Sequence, residues 1–395
     1  MFEDLNEVFQ HYIDAGELAG CSLMIRQHGE MVFQGKWGYA DLKQKIHLED
    51  DSVFRIMSMT KCIIAVGILQ LMESGKLALD DPITNFLPEF SSMRVVADSR
   101  YQYRPGMSKL ALVPLILFFW PGKVHTESAR RPISIRDLLT HSCGLEQDVA
   151  GVIQMIRDKT PRVSLQQTAE HYAGQMLGFQ PGEGTGYSPL AAFDLLGYII
   201  EKVSGQKLEA YLREHIFEPL SMTHTTFARP KGELVRLYCR KGNRLIDVTG
   251  TKKDMDGFIH KRGDYACGSG GLYSTLGDYE HFAHMLSENG IFQGRVILQP
   301  DTVKLMHTEG PAKHLEPDPG FVWGLGVKIR QEPARTGNPC SPGTYGWSGA
   351  FGTHFFVSPA DELECVFMTN RSDLNGSGSY ISKRLEELVF AELRM

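Results

Sequence analysis

Residues 57–72 read MSMTKCIIAVGILQLM, and this stretch decides the fold. As a helix it is apolar on nearly every side, which is typical of a helix in the protein interior rather than on its surface. Gly75 and Lys76 follow and favour an end to the helix there. The sequence therefore predicts a central buried helix that the remaining elements must cover.

The head of this helix carries an S-x-x-K motif, Ser58 to Lys61. A serine at a helix start would act as an N-cap, and an acidic residue or glutamine three positions later would complete a capping box. Lys61 occupies that place instead, where both the helix dipole and burial oppose its positive charge. A local rule broken at such a cost indicates function.

The spacing of the two residues supplies a mechanism. Positions i and i+3 share one helix face, so the Lys61 amine can reach the Ser58 hydroxyl, and an amine with a lowered pKa accepts its proton near neutrality. The backbone N–H of Ser58 at the helix start points where an oxyanion forms. These features predict a nucleophile, its base and half of an oxyanion hole within one turn.

The motif occurs a second time, at Ser204 to Lys207. There Gly205 follows a predicted helix, and an ordinary end-of-helix turn explains the serine. No G-x-S-x-G is present, which removes the usual nucleophile turn of α/β-hydrolases.

Two glycine-rich segments are further candidates for the site. Residues 181–188, PGEGTGYS, open onto a helix and present Tyr187; the alternative is an ordinary turn with a packed tyrosine. Residues 345–352, YGWSGAFG, form a strand in which glycine marks close approach of a ligand to the backbone, or else a bulge or tight corner.

The order of predicted elements indicates the architecture. Residues 21–40 form a hairpin around His28-Gly29-Glu30, and strands return from 321 in FVWGLGVKI, TYGWSG, GTHFFVSP and LECVFMTN, before a helix over 380–393. Between them the predicted helices are 135–139, 165–176, 191–203 and 208–216. We therefore expect an α/β (α+β) protein, with residues 1–76 and 261–395 forming a domain around one antiparallel sheet and residues 77–260 forming an inserted, mostly helical domain.

Composition excludes several classes of protein. The 395 residues carry a net charge of −6 with scattered lysines and arginines, which argues against a nucleic-acid or anionic-membrane partner. The seven cysteines lack a C-x-x-C and are odd in number, so free thiols in a reducing compartment are expected. The amino terminus has no signal-peptide pattern, which favours the cytoplasm.

Residues 110–120, LALVPLILFFW, are too short to span a membrane, which takes about 20 residues. We expect a buried segment or a wall over a pocket, and the alternative is a patch for a membrane surface or a partner. The sequence does not indicate an oligomeric state.

No metal or cofactor is expected. His281-x-x-His284 lacks the H-E-x-x-H pattern and a cysteine partner, so a surface helix is favoured over zinc. Gly268-Ser269-Gly270-Gly271 fits neither nucleotide-binding pattern. His141 and Cys62 are expected to be structural.

Three of these segments together resemble the serine β-lactamase and penicillin-binding-protein superfamily. Its class C β-lactamases use S-x-x-K, Y-x-N and K-T-G, and here the motifs are, in the same order, Ser58-x-x-Lys61, Tyr187-Ser188 and Trp347-Ser348-Gly349. The surrounding GYAD, GILQLMESGKLALDDPITNFLPEF, ISIRDLLTHSCGL and GSGGLYSTLGDYEHFAHML also resemble it. The third motif looks most like that of family VIII carboxylesterases, which carry Trp-x-Gly. The resemblance extends over most of the chain.

The resemblance implies roles for the matching residues. Ser58 would be the nucleophile, Lys61 its base partner, and Tyr187 the general acid/base that relays the proton to the leaving group and later activates water. The backbone N–H groups of Ser58 and Ala350 would form the oxyanion hole. The third motif, Trp347, Ser348 and Gly349, would bind a small-molecule substrate.

Two departures from the superfamily pattern bear on the substrate. Pro189 replaces the asparagine of Y-x-N, which contacts the acylamide arm of β-lactams, and Trp347 replaces the lysine of K-T-G, a cation suited to a carboxylate. An uncharged ester needs neither group, so the expected activity is ester hydrolysis through an acyl-enzyme. The alternatives are a β-lactamase, a D-amino-acid peptidase or amidase, or an acyltransferase using the same residues. More remote is a binding module without catalysis.

Overall fold

The computed structural model describes residues 3–102, 109–161, 163–230, 232, 234–254, 265–308, 310, 320–376 and 378–392. Within these residues the helices are α1 (Glu3–Asp14), α2 (Thr60–Glu73), α3 (Lys109–Phe118), α4 (Ile135–Leu139), α5 (Asp148–Arg157), α6 (Leu165–Ala173), α7 (Ala191–Ser204), α8 (Leu208–Leu212), α9 (Leu276–Ser287), α10 (Pro300–Met306) and α11 (Tyr380–Glu392). The strands are β1 (Gly20–Gln27), β2 (Glu30–Asp41), β3 (Ile46–His47), β4 (Phe54–Arg55), β5 (Arg94–Val96), β6 (Thr126–Ser128), β7 (Tyr238–Lys241), β8 (Arg244–Asp247), β9 (Tyr273–Ser274), β10 (Ile291–Phe292), β11 (Arg295–Val296), β12 (Phe321–Trp323), β13 (Lys328–Arg330), β14 (Thr344–Ser348), β15 (His354–Ser358) and β16 (Leu363–Thr369).

Both ends of the chain contribute to one sheet. Among the described residues its strand order is β12-β13-β14-β15-β16-β1-β2-β3. Strand β1, from the amino-terminal part of the chain, pairs antiparallel with the last strand, β16, and Cys21 lies opposite Thr369. Prediction of an antiparallel sheet completed by the two ends is therefore confirmed.

Helices cover both faces of the sheet, because its central strands are apolar on both sides. Phe356 and Phe367 pack with α1 and α11 on one face. Phe355 and Val366 face the larger core around α2 and α9. The predicted division at residues 76 and 260 remains a proposal, and its second boundary lies outside the described residues.

The central helix is buried as predicted, but it begins at Thr60, three residues later than the predicted start. Residues Met57–Met59 form a 3₁₀ turn, and the α-helix starts at Thr60. Ser58 is therefore not an N-cap, since no side chain caps either segment. The turn places Ser58 at the amino-terminal end of α2, on the same face as Lys61.

Other predicted elements need small corrections. The segment FVWGLGVKI is not one strand but two, β12 and β13, separated by a bend in which Gly326 has a φ of +78°. The predicted helix over 208–216 ends as α-helix at Leu212 and continues as a π turn, Arg213–Phe217. The terminal helix ends at Glu392, and position 393 lies outside the described residues.

The apolar segment 110–120 is helical but is not buried. Its inner face, which includes Leu112, Ile116 and Phe119, packs on a small cluster of its own. Its outer face is open: Leu110 is 81% exposed and Phe118 is 80% exposed. The expectation of a buried segment is therefore wrong. Among the described residues, no helix combines the length and apolar character needed to cross a membrane.

Candidate active site

Ser58, Lys61 and Tyr187 meet at one point. The Tyr187 hydroxyl donates a hydrogen bond of 2.7 Å to Ser58 Oγ. The amine of Lys61 lies 3.3 Å from the same oxygen. Ser58 and Tyr187 are partly exposed, whereas Lys61 is 1% exposed. A serine hydroxyl thus lies between a buried amine and a phenol that come from distant parts of the chain.

The Lys61 amine is held by two backbone carbonyls. It donates 2.6 Å to the Ser269 oxygen and 2.8 Å to the Pro189 oxygen. Its Nζ also lies 5.1 Å from the centre of the Tyr187 ring. These contacts fix the amine in one orientation and direct its remaining position at Ser58 Oγ.

Each of these carbonyls belongs to a segment anchored by a buried acid. Asp194 accepts 3.1 Å from the backbone N–H of Ser269 and 2.6 Å from the Tyr265 hydroxyl. Glu146 accepts 2.9 and 2.7 Å from the backbone N–H groups of Leu190 and Ala191, at the start of α7. Burial raises the pKa of Glu146.

The loop that carries Tyr187 is tied to the segment after α4. The Gln147 amide donates to the carbonyls of Gly186 and His141. His141 Nδ1 accepts 3.2 Å from the backbone N–H of Ser188. Burial, and then the charge of Lys61, lowers the pKa of His141 well below its ordinary value, so the ring is neutral and acts as this acceptor. His141 therefore positions the loop.

Aromatic rings form one wall of the site. Trp323 stacks on Tyr187 with ring centres 5.9 Å apart, and Trp347 lies 5.3 Å from the same ring. The two indoles are 4.7 Å apart, and His141 packs 4.3 Å from Trp323. These packed rings form an apolar wall next to Tyr187, which bonds the nucleophile.

Backbone geometry is special on both sides of Ser58. Met57 has a φ of +48°, a left-handed conformation that costs a non-glycine residue about 1–2 kcal/mol. On the other side, a Cβ at Gly349 would overlap the Ile56 carbonyl and Thr353 Oγ1. Gly349 thus lets the third motif lie directly against the turn that carries the nucleophile, and it brings the following Ala350 to this region.

The three residues of the third motif do not share one environment. The Ser348 hydroxyl bonds 2.7 Å to His354 Nδ1, and His354 Nε2 bonds 2.9 Å to Glu386 of α11. These three hydrogen-bonded side chains border a cavity of about 460 Å³ between the sheet and α11. Substrate binding by Trp347 fits its contact with Tyr187, whereas the placement of Ser348 gives that prediction no support.

The remaining candidates lie apart from this cluster. Ser204 Oγ donates to the Ile200 carbonyl at the end of α7, and Lys207 is 68% exposed. Cys62 is buried and its thiol donates to the Gly326 carbonyl. His284 pairs with Glu364 at 2.8 Å. Among the described residues, no three histidine, cysteine or acidic side chains are grouped as a metal site requires.

Sequence reasoning missed Trp323, Glu146 and Asp194. Trp323 lies in a glycine-studded strand end, as Trp347 does. Asp194 is the one acid in the apolar stretch AAFDLLGYII, and an acid at a position that a helix would bury is a usable signal. Glu146 had no such pattern around it.

The fold and the Ser–Lys–Tyr cluster define a serine hydrolase of the β-lactamase and penicillin-binding-protein type. The beta-lactamase family model matches residues 5–389, and the chain belongs to this family.

Known relatives span nearly the whole chain. Protein Rv1367c of Mycobacterium tuberculosis is 30% identical over 376 residues, covering 90% of this chain and 86% of its own. Esterase EstB of Burkholderia gladioli is 26% identical, covering 98% and 94%. The structure of EstCE1, a hydrolase with promiscuous acyltransferase activity, superposes with a TM-score of 0.78 at 24% identity, covering 98% and 97%.

Proposed function

We propose that the protein is a carboxylesterase that hydrolyses small uncharged esters through an acyl-Ser58 intermediate. The observation that carries this proposal is the convergence of Lys61 and Tyr187 on Ser58 Oγ, at 3.3 and 2.7 Å. The esterase relative supports the substrate class.

The contacts of Lys61 support its role as base. Two of its N–H bonds go to the Ser269 and Pro189 carbonyls, so its third position faces Ser58 Oγ. In the neutral amine that position is a lone pair, which accepts the Ser58 proton as the hydroxyl attacks the ester carbonyl. The backbone N–H groups of Ser58 and Ala350 would stabilise the oxyanion.

Collapse of the tetrahedral intermediate breaks the bond between the carbonyl carbon and the alkoxy oxygen. Tyr187 relays the proton to the departing alcohol, leaving an ester on Ser58. Water then attacks this ester, and its proton passes through the Tyr187 hydroxyl to the Lys61 amine. When the second tetrahedral intermediate collapses, the Ser58 oxygen leaves and takes that proton back, so the acid is released and the Ser58 hydroxyl and the neutral amine are restored.

The surroundings favour an uncharged acyl group. Trp347 and Trp323 build an apolar wall against Tyr187, and Trp347 stands where related enzymes have the lysine of K-T-G. Pro189 contributes its carbonyl to Lys61 in place of a side-chain amide. A carboxylate-bearing β-lactam or peptide gains no ion pair from these residues.

We also propose that the site lies between the domain of residues 1–76 and 261–395 and the helical domain of residues 77–260. Ser58 and Trp347 come from the first, and Tyr187 comes from the second. The seven cysteines, all described, form no disulfide, which supports a reducing compartment such as the cytoplasm.

The test is a substrate panel on the purified protein, with short-chain aryl esters, D-amino-acid amides and a chromogenic cephalosporin. Esters should be turned over fastest, and intact-protein mass spectrometry should show an acyl adduct that the Ser58→Ala variant lacks. Added alcohol tests transfer of the acyl group, because EstCE1 is a hydrolase with that second activity. If the cephalosporin or the amides are cleaved faster than the esters, the protein is a β-lactamase or an amidase and the esterase assignment is wrong.

A further inference from the structure

The outer face of α3 is a large apolar surface that the proposed active site does not use. We define the α3 patch as its outward side chains and the tryptophan that follows, with their exposed fractions: Leu110 81%, Val113 47%, Leu117 69%, Phe118 80% and Trp120 67%. Soluble proteins rarely leave an apolar face of this kind open unless it contacts something.

The helix is held in place from beneath. Leu112, Leu115 and Ile116 pack on the cluster that contains Val96 and Ile153, so the outward side chains are presented on an anchored element. The helix is too short to cross a bilayer, but its end exposes Phe118 and the following Trp120, and aromatic side chains of this kind favour a lipid interface.

Cations lie beside the patch. Arg157 donates to the Phe119 carbonyl and lies 5.9 Å from the Phe119 ring, and Lys123 and Lys159 are exposed. Asp158, which lies between Arg157 and Lys159 in sequence, has a side chain only 7% exposed and pairs with His171. Arg157, Lys123 and Lys159 therefore expose positive charge beside the patch, although the whole chain carries −6.

We propose that the α3 patch docks on an anionic lipid surface, with Leu117, Phe118 and Trp120 entering the interface and the cations contacting lipid headgroups. A net negative protein is repelled by such a surface everywhere except where positive charge is local, so the charge distribution orients the patch toward it. A two-fold dimer through the same patch is disfavoured, because it would bring the two sets of cations together.

Trp120 provides the readout. It is the one exposed tryptophan of four, since Trp37, Trp323 and Trp347 are 6–8% exposed. The full chain is titrated with phosphatidylcholine vesicles, with and without phosphatidylglycerol. We expect a blue shift of tryptophan emission and co-flotation with the anionic vesicles, and Trp120→Phe should remove the shift but keep the flotation.

Two double variants with the same net charge distinguish the loss of the apolar patch from a general increase in repulsion between the protein and the anionic vesicles. Leu117→Glu with Phe118→Glu should weaken vesicle binding by more than about tenfold, since two large apolar side chains no longer enter the interface. Ile46→Glu with Val296→Glu, at exposed apolar positions on other elements, should bind like the parent. Lys123→Gln with Lys159→Gln should weaken binding to anionic vesicles only.

The Ser58→Ala variant should bind vesicles normally, which keeps this proposal separate from the enzymatic one. Absence of vesicle binding by the parent chain would overturn the proposal, and so would equal binding by the two double-glutamate variants. Concentration-dependent self-association in sedimentation velocity, abolished by the Leu117→Glu and Phe118→Glu changes, would instead identify a second copy as the occupant.

Discussion

The Tyr187 hydroxyl donates to Ser58 Oγ across 129 positions of sequence, at 2.7 Å. Removing that hydroxyl alone, in Tyr187→Phe, should lower kcat for ester hydrolysis about 10²–10⁴-fold, because the relay of the proton to the leaving group is lost. The ring contacts with Trp323 and Trp347 remain, so the melting temperature should change little. Steady-state kinetics and thermal unfolding measure both quantities.

A matched control is Tyr198→Phe, which removes a phenol from a half-buried tyrosine on α7. Its turnover should equal that of the parent chain. A Tyr187→Phe variant with normal kcat would contradict the assigned proton relay.

The buried amine of Lys61 gives a second prediction. Lys61→Met keeps the approximate length of the side chain but leaves the Ser269 and Pro189 carbonyls without this donor. We expect a loss of turnover of at least about 100-fold, and a lower melting temperature because each unsatisfied buried carbonyl costs about 1–3 kcal/mol. A chromogenic ester assay and calorimetry provide the measurements.

The chain contains its own control for this variant. Lys207 belongs to the other S-x-x-K, is 68% exposed and lies just before α8. Lys207→Met should leave both activity and melting temperature unchanged. Equal activity losses in the two variants would show that the motif at Ser58 has no special role.

The parts of the fold that follow local patterns were predictable. A helix that is apolar all round must be buried, and i, i+3 spacing places Lys61 beside Ser58 whatever covers the helix. The alternation of apolar and polar residues predicted β1 and β2. The glycines of residues 345–352 indicated that this segment lies close to a ligand. The Tyr187 loop required the family resemblance, because its own sequence also fits an ordinary turn.

Other features depend on contacts distant in sequence and left no local signal. The 3₁₀ turn before α2 and the left-handed Met57 depend on packing against the third motif, some 290 residues away. The exposed face of α3 was not predictable, because an apolar helix without a polar stripe does not indicate which side faces the core. The hydrogen bonds from Ser348 through His354 to Glu386 join two strands to the last helix, and no sequence spacing indicates them.

Gly349 gives a third prediction, on the close approach of the third motif to the nucleophile. A methyl group at this position overlaps the Ile56 carbonyl and Thr353 Oγ1, so Gly349→Ala must push β14 away from the turn that carries Ser58. We expect a large loss of kcat and a lower unfolding midpoint, since overpacking costs about 1–3 kcal/mol. Urea unfolding and ester kinetics check the two effects.

Gly277 in α9 is the control for that substitution. A Cβ there meets no atom within 4 Å, so Gly277→Ala should keep full activity and gain a few tenths to about 1 kcal/mol of stability from helix propensity. Parent-like behaviour of Gly349→Ala would show that the third motif tolerates displacement.

The last prediction concerns acid stability and His354. Burial, and then the positive charge of Arg330, lowers the pKa of His354 to about 3, against about 6.5 in an unfolded chain. Between these two values the unfolded state binds a proton that the folded state does not, so stability present above pH 6.5 is lost as the pH falls toward 3. The slope from this residue is about 1.4 kcal/mol per pH unit within that window.

Urea unfolding midpoints across the window should show a shallower pH dependence in His354→Asn. The free energy of unfolding of that variant is lower at pH 7, because Ser348 and Glu386 lose their shared partner. His28→Asn, at an exposed turn position, should keep the parent slope, and an unchanged slope in His354→Asn would mean that His354 does not account for the loss in acid.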